Sequence, residues 1–279
     1  MAEIGAKTQL CGIVLHPAGH TRSPAMHNAA FRSLGLDAVY LAFDVPPADL
    51  AGAVAGARGL GIRQLAVSIP HKLAVMEHLD EVDPVARRIG AVNTVTRRGD
   101  RLVGSNTDWA GVVEAIERQG ERSLEGTRSV VLGAGGAARA VVYGLASRGS
   151  RVTILNRTEA RAHELAAELE AEGAGALADL AEIEHDVLVN TTSVGLGGDA
   201  SPVAAEALRP GSLVMDAVYE PERTRLLRDA AERGARTLGG KWMLVHQAAR
   251  QLETWTGREA PVEVMAEAFD RAGRGSRGG

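Results

Sequence analysis

Four polar clusters in the first 108 residues carry side chains that could bind or activate a small polar molecule. They lie at predicted strand ends or in loops, where binding and catalytic residues concentrate. The side chains concerned are Thr21 and Ser23 in GHTRSPAMHNAAF, Ser68 and Lys72 in SIPHK, Asn93 in GAVNT, and Asp108 in SNTD. Each also has an ordinary structural interpretation: Ser23 and Asp108 suit helix N-caps, and Lys72 suits a solvated surface position. Whether they form a site depends on the elements that position them.

A glycine-rich turn adds a candidate for phosphate binding. The segment VVLGAGGAARAVVYGL, residues 130–145, runs from an apolar strand through glycines into an apolar helix. Gly133, Gly135 and Ala138 fill a GxGxxA frame, in which Gly133 permits the tight turn, Gly135 lets the backbone approach a pyrophosphate, and Ala138 lets the helix lie close to the strand. Amide groups at the helix start would bind the phosphates. Because RSVVL and RVTILNRT both read as strands, a dinucleotide site is favoured over a purely structural turn.

The end of the second of these strands indicates which dinucleotide binds. NAD-binding units usually place Asp or Glu there, about 20 residues after the glycines. This chain has Asn156, Arg157 and Thr158, with Arg161 one helical turn later. Guanidinium, amide and hydroxyl groups would hold a ribose phosphate, which a carboxylate would repel. We therefore predict NADP as the cofactor; the alternative is that the arginines are solvated residues on a helix surface.

Composition limits the class of protein. The 279 residues could form one large domain or two of ordinary size, and 45% hydrophobic with 24% charged residues is typical of a soluble chain. The net charge of -4 and the scattered basic residues give no sign of a nucleic-acid partner. A single cysteine, Cys11 in QLCGIVL, predicts core packing and a reducing, cytoplasmic environment. Since no apolar run approaches the roughly 18 residues of a membrane span, we expect no membrane partner. We also expect no metal site, and a monomer or homodimer.

Strands and helices alternate along the whole chain. Strands are predicted at KTQLCGIVL, AVYLAFDV and RQLAVSI, with helices opened by Ser23-Pro24 and formed by PPADLAGAVAGARGLG. Beyond the first 108 residues, strands are predicted near Val130, Val152, Val187 and Val214, with amphipathic helices between them. Two further helices, WMLVHQAARQLETWTG and EVMAEAFDRA, complete the pattern.

This order predicts an α/β fold of two domains with a cleft between them. Residues 1–108 are expected to form a substrate-binding α/β domain, completed by C-terminal helices over residues 243–272. Residues 109–242 are expected to form a Rossmann-type NADP-binding domain. The polar stretch 273–279 is predicted to be disordered.

Nine motifs follow one another along nearly the whole chain: HTRSPAMHNAAF, SIPHK, GAVNTV, NTD, GAGGAARA, NRT, NTTSVG, DAVYEPERT and MLVHQAA. Taken together, in this order and spacing, they resemble the shikimate dehydrogenase family. The resemblance implies an NADP-dependent oxidoreductase that acts on a CH–OH group. It would reduce 3-dehydroshikimate to shikimate with NADPH, in aromatic amino-acid biosynthesis.

The resemblance also implies roles for individual residues. Lys72 and Asp108 would be the catalytic pair: the ammonium stabilises and protonates the ketone oxygen, and the carboxylate holds the ammonium in place. Around the substrate it places Thr21, Ser23, Ser68, Asn93, Tyr219 and Gln247, with the substrate carboxylate against the first two. Around the cofactor it places Gly133, Ala134, Gly135, Gly136, Ala137, Asn156, Arg157, Thr158, Arg161, Thr191, Gly240 and Met243. Arg22, between the two hydroxyl residues, is expected to point to solvent.

Several positions depart from the family pattern. Thr21 stands where the family has serine, Ala66 and Ser68 replace the asparagine and threonine of NVTIP, and Trp109 and Trp242 stand where small residues are usual. The two indoles either reshape the cleft or pack in the core. These changes leave the catalytic pair intact but leave the ring substrate open. A dehydrogenase of quinate or another shikimate analogue is therefore one alternative, and a non-catalytic shikimate- or nucleotide-sensing protein is the alternative of another class.

Overall fold

The computed structural model describes residues 4–19 and 21–275, which form two compact units. The first unit comprises the residues up to Thr107 together with those from Gln247 onward, and the second unit runs from Asp108 to His246. The expected division, with residues 1–108 and 243–272 in one domain and residues 109–242 in the other, stays a prediction. None of the helices in the described ranges is both long enough and apolar enough to cross a membrane.

A six-stranded mixed sheet forms the centre of the first unit. Its strands are β1 (Gln9–Leu15), β2 (Ala38–Asp44), β3 (Gln64–Val67), β4 (Glu81–Val82), β5 (Thr94–Arg98) and β6 (Arg101–Ser105), in the order β2-β1-β3-β5-β6-β4. β1 pairs in parallel with both β2 and β3, whereas β5 is antiparallel to both β3 and β6. The amino-terminal end of β5 therefore lies at the same edge as the carboxyl ends of β1 and β3.

The helices of the first unit follow local sequence signals. They are α1 (Ser23–Leu34), α2 (Leu50–Gly59), α3 (Pro84–Ile89) and, after the second unit, α9 (Val262–Gly275). α1 has a proline in its first turn and ends at Gly35, whose positive φ of 64° provides a left-handed cap. α3 is capped by Asp83, the residue before its start, whose side chain accepts a hydrogen bond from the Ala86 amide.

Cys11 lies within β1 and has no exposed surface. Burial raises the pKa of its thiol to about 12, so the thiolate is absent at neutral pH. The prediction that Cys11 packs in the core is confirmed.

The second unit is built on a fully parallel sheet. Its strands are β7 (Arg128–Leu132), β8 (Arg151–Asn156), β9 (Gly173–Ala176), β10 (Val187–Asn190), β11 (Leu213–Asp216) and β12 (Arg236–Gly239), in the order β12-β11-β10-β7-β8-β9. Its helices are α4 (Asp108–Glu114), α5 (Gly136–Ser147), α6 (Glu159–Leu169), α7 (Arg225–Glu232) and the first part of α8 (Lys241–Thr256). The order reverses between β7 and β10, as in a Rossmann sheet, and the predicted α/β class is confirmed.

Both faces of this sheet are covered. In β7, Val131 belongs to one apolar cluster, and its neighbours Val130 and Leu132 belong to another. Successive residues of a strand point to opposite faces, so the alternation shows a core on each side. This explains why RSVVL reads as a continuous apolar run.

The helix predicted between the strands near Val187 and Val214 is wrong. The described residues between β10 and β11 contain no α-helix, only one short 3-10 turn at Ala205–Ala207. The segment is TTSVGLGGDASPVAAEALRPGS, whose glycines and prolines disfavour a continuous helix. It forms a loop that follows the carboxyl end of β10.

Two helix ends also differ from prediction. α4 begins at Asp108 itself and continues into a single π-helical turn, Ala115–Gln119. α9 continues to Gly275, so residues 273–275 are helical and not disordered, whereas residues 276–279 of the predicted tail lie outside the described residues. Gly273 is buried because the Arg22 guanidinium fills the space where its side chain would be.

Candidate active site

The candidate substrate residues of the first unit meet at one edge of its sheet. β1 and β3 end there, and β5 begins there. The Ser68 amide donates to the Val14 carbonyl (3.0 Å), and the Val92 amide donates to the Lys72 carbonyl (2.8 Å). The Val67 amide donates to the Asn93 carbonyl (2.7 Å), so backbone hydrogen bonds fix Asn93 beside the residue that precedes Ser68, and fix Lys72 beside the residue that precedes Asn93.

The start of α1 carries the two hydroxyl residues predicted for a carboxylate. Ser23 is the first helical residue, and the cap position belongs to Arg22, so the interpretation of Ser23 as the N-cap is wrong. Thr21 Oγ1 accepts a hydrogen bond from the Ser23 amide at 3.3 Å. The Ser23 and Ser68 hydroxyls make no hydrogen bond with another described residue, so both can serve a ligand.

Arg22 does not point to solvent as predicted. It is only 4% exposed, and its guanidinium carbon lies 4.3 Å from the centre of the Phe269 ring on α9. A Cβ at Gly273 would lie 2.5 Å from Arg22 Nη1, so the glycine leaves room for the guanidinium. The cation–π contact and this gap explain why the side chain turns inward.

Lys72 follows a turn that hydrogen bonds hold at two points. The His71 amide donates to the Ser68 carbonyl at 2.9 Å. The His71 ring is buried, and its Nε2 donates to a backbone carbonyl of the loop after β2 at 2.8 Å. Lys72 itself is half-buried at the sheet edge. The Lys72 backbone thus lies between the Ser68 turn and the residue that precedes Asn93, and the contact of its ammonium group with a substrate stays a prediction.

Asn93 is the centre of the hydrogen-bond network at this edge and is only 1% exposed. Its Oδ1 accepts from the Thr107 amide (2.8 Å) and from Thr94 Oγ1 (2.7 Å). Its Nδ2 donates to Thr107 Oγ1 (3.0 Å) and to Gln247 Oε1 (3.3 Å). Both amide hydrogens of Asn93 are used within the protein, so the geometry favours a residue that orients Gln247.

Gln247 and Asp108 lie where the chain passes between the two units. Thr107 Oγ1 donates to the Gln247 backbone carbonyl at 3.0 Å, which ties the end of the β6 segment to α8. Asp108 is the next residue, is 5% exposed and begins α4. The pairing of Asp108 with Lys72 stays a prediction.

The glycine turn of the second unit has the geometry its sequence predicts. Gly133 follows β7 with φ +113°, a conformation that only glycine adopts without strain. A Cβ there would lie 2.7 Å from Thr191 Oγ1. Thr191 Oγ1 in turn donates to the Leu132 carbonyl at 2.6 Å. The turn thus follows the carboxyl end of β7, beside β10, where the strand order reverses. Rossmann sheets bind ligands at this position.

Gly135 precedes α5 and faces open space. A Cβ there would meet no atom within 4 Å, and no side chain of the described residues caps the helix start. The first amide groups of α5 therefore have no intrahelical acceptor and form an anion site. Ala134, Gly136 and Ala137 are partly exposed in the same turn. The turn fits a pyrophosphate because backbone amides are available and no side chain blocks their approach.

The residues predicted to bind the ribose phosphate of NADP follow β8. Arg157, Thr158 and Arg161 are exposed, and Asn156 Nδ2 donates to the Thr158 carbonyl at 2.9 Å, which shapes the turn into α6. Neither arginine forms an ion pair with a carboxylate of the described residues. Both residues follow β8, the strand that pairs with β7 ahead of the glycine turn, and guanidinium groups there would attract a ribose phosphate.

A buried network that sequence reasoning missed supports the neighbouring loops. Asn190 Nδ2 donates to Asp216 Oδ1 (2.9 Å), and Thr224 Oγ1 donates to Asp216 Oδ2 (2.6 Å). Asp216 has no exposed surface, and this burial raises the pKa of its carboxyl. The network fixes the loops that carry Thr191 and the half-buried Tyr219. An aspartate inside the apolar run LVMDAV is the sequence signal that could have revealed it.

The remaining cofactor predictions lie at the start of α8. A Cβ at Gly240 would clash with the Ala217 carbonyl oxygen, so close backbone packing explains that glycine. Met243 is 7% exposed and belongs to the apolar core of the second unit. Both residues have a structural explanation, and their contact with the cofactor stays a prediction.

Both unusual tryptophans pack within the second unit. The Trp109 ring meets Tyr143 edge-on, with ring centres 5.7 Å apart. Trp242 packs against the apolar core of that unit, with its ring centre 6.0 Å from the His246 ring. These contacts favour the packing interpretation of the two indoles.

A parallel sheet of reversed order with an anion-binding turn, together with an α/β unit rich in hydroxyl, amide and ammonium groups, defines a two-domain dinucleotide-dependent oxidoreductase. Three family models match the chain. Residues 13–95 match the shikimate dehydrogenase substrate-binding domain, residues 114–195 match shikimate/quinate 5-dehydrogenase, and residues 240–268 match the shikimate 5'-dehydrogenase C-terminal domain. The shikimate dehydrogenase (NADP+) of Methanopyrus kandleri is 50% identical over 95% of this chain and 96% of its own length. The chain belongs to the shikimate dehydrogenase family.

Solved structures agree in fold over almost the whole chain. A shikimate dehydrogenase in complex with NADP+ is 39% identical, with a TM-score of 0.91 and 97% of each chain covered. The shikimate 5-dehydrogenase of Thermus thermophilus, solved with NADP(H) and shikimate, is 40% identical, with a TM-score of 0.89 over 95% of this chain and 99% of that one. The resemblance drawn from the nine motifs is confirmed.

Proposed function

We propose that this chain is an NADP-dependent shikimate dehydrogenase, which reversibly reduces 3-dehydroshikimate to shikimate in aromatic amino-acid biosynthesis. The observation that carries the proposal is the juxtaposition of Ser68, Lys72 and Asn93 at one sheet edge, with Gln247 bonded to Asn93. Such a set offers donors and acceptors to ring hydroxyls and an ammonium to a ketone. Family membership supplies the cofactor half of the proposal.

Lys72 is proposed as the proton donor for the ketone oxygen. NADPH, when bound, supplies the hydride that reduces the carbonyl carbon. Negative charge then develops on the carbonyl oxygen, and an ammonium group both stabilises it and can deliver the proton. Asp108 is proposed to hold Lys72 in its charged form and to accept hydrogen bonds from ring hydroxyls. In the reverse direction the neutral lysine removes the hydroxyl proton.

The hydroxyl residues are proposed to bind the substrate carboxylate and ring. Thr21 and Ser23 stand at the start of α1, and the Ser23 and Ser68 hydroxyls are not used by the described part of the protein. Gln247 and Tyr219 are proposed to contact ring hydroxyls. A site that hydrogen-bonds a substrate hydroxyl rejects analogues lacking it by about 10⁴ or more, so these groups supply selectivity.

The glycine turn is proposed to hold the NADP pyrophosphate, and the residues after β8 its ribose phosphate. The open face of Gly135 and the uncapped start of α5 support the first assignment. The guanidinium groups of Arg157 and Arg161, which no described carboxylate pairs, support the second. Asn156, Thr158 and Thr191 complete this proposed set.

The substrate is a small molecule. We propose that the enzyme works in the cytoplasm, as a monomer or homodimer and without a nucleic-acid or membrane partner. The buried free thiol of Cys11 is consistent with a reducing compartment.

The test is a panel of substrates and cofactors. Purified protein is mixed with shikimate or quinate and with NADP or NAD, and formation of the reduced cofactor is followed by its near-ultraviolet absorbance. We expect the highest kcat/KM with shikimate and NADP. A preference for quinate would move the assignment to the analogue dehydrogenase, and shikimate binding without turnover with either cofactor would favour a sensing role.

A further inference from the structure

A layer of buried polar side chains lies directly behind Asn93 in the first unit. Its members, which we call the amide layer, are Gln64 on β3, Thr94 on β5 and Gln251 on α8. All three are at most 3% exposed, so none can contact bulk solvent. Buried polar groups are costly unless they are hydrogen-bonded, and uncharged apolar residues would fill such positions more simply. The layer therefore calls for an explanation.

The amide layer donates hydrogen bonds to two oxygens of Asn93, its backbone carbonyl and its Oδ1. Gln251 Nε2 donates to the Asn93 backbone carbonyl (3.2 Å) and to Thr94 Oγ1 (3.0 Å). Thr94 Oγ1 in turn donates a hydrogen bond to Asn93 Oδ1 (2.7 Å). Gln64 Nε2 donates to the Gln251 backbone carbonyl at 2.7 Å, which ties α8 to the sheet. The Thr94 hydroxyl can donate to Asn93 because it accepts from Gln251, so the direction of the chain of hydrogen bonds is set.

This direction determines how Gln247 is presented. Asn93 Oδ1 is held as an acceptor by Thr94 and Thr107, so Asn93 Nδ2 must be its donating end. Nδ2 donates to Gln247 Oε1, which leaves Gln247 Nε2 as the end turned away from Asn93. Gln251 lies four residues after Gln247, one helical turn along α8, so the same helix carries both the orienting and the oriented amide.

We propose that Thr94 and Gln251 are positioning residues of the substrate site. Through Asn93 they fix the Gln247 amide so that its Nε2 donates to a ring hydroxyl oxygen of the substrate. The inference rests on the proposed function, because it concerns the same substrate site. A layer that served only to satisfy buried groups would affect the stability of the fold and not the recognition of substrate.

Two isosteric variants on one strand test the proposal. Thr94→Val removes the hydroxyl that links Gln251 to Asn93, whereas Thr96→Val removes a buried hydroxyl two residues along β5. Thr96 accepts from Gln64 Nε2 at 3.3 Å and makes no hydrogen bond with Asn93 in the described part of the chain. The two changes replace the same atoms on the same strand. Thermal unfolding records the stability that each variant loses, and the loss should be larger for Thr94→Val because its hydroxyl makes two hydrogen bonds and that of Thr96 makes one.

Thr94→Val is expected to raise the KM for shikimate about tenfold, which corresponds to about 1.4 kcal/mol of binding free energy. Its kcat should stay within about twofold, because the lost orientation weakens substrate and transition state alike. The KM for NADP should not change, and Thr96→Val should stay within about twofold of the wild type in all three constants. Gln251→Met, which keeps the side-chain length without the two donated hydrogen bonds, should reproduce the KM effect if Thr94→Val fails to fold.

The failures of the two proposals are distinguishable. The first case is that the wild type turns over shikimate, but Thr94→Val and Gln251→Met have the same shikimate KM as Thr96→Val. The amide layer is then only structural, and this inference is overturned. If the wild type neither turns over nor binds shikimate, measured by calorimetry, the proposed function and this inference both fall. A higher shikimate Kd in Thr94→Val than in Thr96→Val, with or without turnover, supports the inference.

Discussion

The two units prepare for their ligands in different ways. In the second unit the groups offered to a ligand are backbone amides at the start of α5 and the exposed guanidiniums of Arg157 and Arg161. In the first unit they are side chains, and a buried hydrogen-bond network holds Asn93 and Gln247 in place. The predicted cofactor site thus depends on backbone amides and charges that remain accessible. The predicted substrate site depends on side chains that buried hydrogen bonds hold in one orientation.

The two halves should therefore respond differently to substitution. A phosphate binds to amides whose positions follow from the helix, so the cofactor half depends on glycine conformation and local charge. Hydroxyls of a ring need donors and acceptors in one particular arrangement, so the substrate half depends on contacts between distant segments. Substitutions can break each half separately.

The largest effect is expected from removing the proposed proton donor. Lys72→Met should lower kcat for shikimate oxidation by about 10²–10⁴, the usual contribution of a general acid or base. The KM for shikimate should change much less, because charge on the oxygen develops chiefly in the transition state. Steady-state kinetics measure both, with Lys7→Met, an exposed lysine of the same unit, as the control. An unchanged kcat would show that Lys72 is only a binding or surface residue.

A pair of glycine variants sharpens the view of the cofactor half. Gly135→Ala should leave the thermal unfolding temperature unchanged, since a Cβ there meets nothing, but should weaken NADP binding about a hundredfold by displacing the pyrophosphate. Gly133→Ala should weaken NADP and also destabilise the fold by at least about 1–2 kcal/mol, because its φ is positive and Thr191 lies in the way. Calorimetry and thermal unfolding separate the two. Equal destabilisation by both changes would contradict the open face of Gly135.

The choice between cofactors should depend on one charge. Arg157→Gln should weaken NADP binding by about tenfold to a hundredfold, the value of a hydrogen bond to a charged group, and leave NAD nearly unaffected. Dissociation constants for both nucleotides are measured by fluorescence or calorimetry. Arg148→Gln is a suitable control, because Arg148 is an arginine of the same unit already paired with Glu117 at 3.0 Å. Equal losses for NADP and NAD would mean that Arg157 does not read the ribose phosphate.

The smallest effect concerns acid stability in the first unit. Burial lowers the pKa of His27 from 6.5 to about 4, so the unfolded chain binds a proton more readily than the folded one. Stability from this group is nearly full well above pH 6.5 and is lost as the pH falls towards 4, by roughly 1 kcal/mol one unit below the unfolded pKa. His27→Phe, which keeps a ring against Tyr40, should flatten the dependence of the unfolding free energy on pH over this range.

Denaturant unfolding at several pH values measures the effect. His163→Phe provides the control, because His163 is 58% exposed on α6 and should leave the pH dependence as in the wild type. If the unfolding free energy of His27→Phe depends on pH as steeply as that of the wild type, groups other than His27 cause the loss of acid stability.

Much of the cofactor half could be predicted because its signals are local. Gly133, Gly135 and the arginines after β8 lie within one strand–helix–strand stretch, and each glycine reports a backbone requirement at its own position. The loop between β10 and β11 replaces the helix that usually joins strands in such sheets, because its glycines and prolines disfavour a helix. The inward turn of Arg22 could not be read locally, since it depends on Phe269 and Gly273, near the other end of the chain.

Residue types and their order are enough to predict the α/β class, the glycine turn and the polar clusters, and the nine ordered motifs identify the family. These properties are carried by short segments whose residue types already specify a turn, a charge or a strand. The three-dimensional fold is needed to see that Asn93 uses both amide hydrogens within the protein, and that Thr94 and Gln251 hold it in place. The physical reason is that a buried hydrogen bond needs its donor and acceptor brought together from β5 and α8, and no spacing along the chain records that meeting.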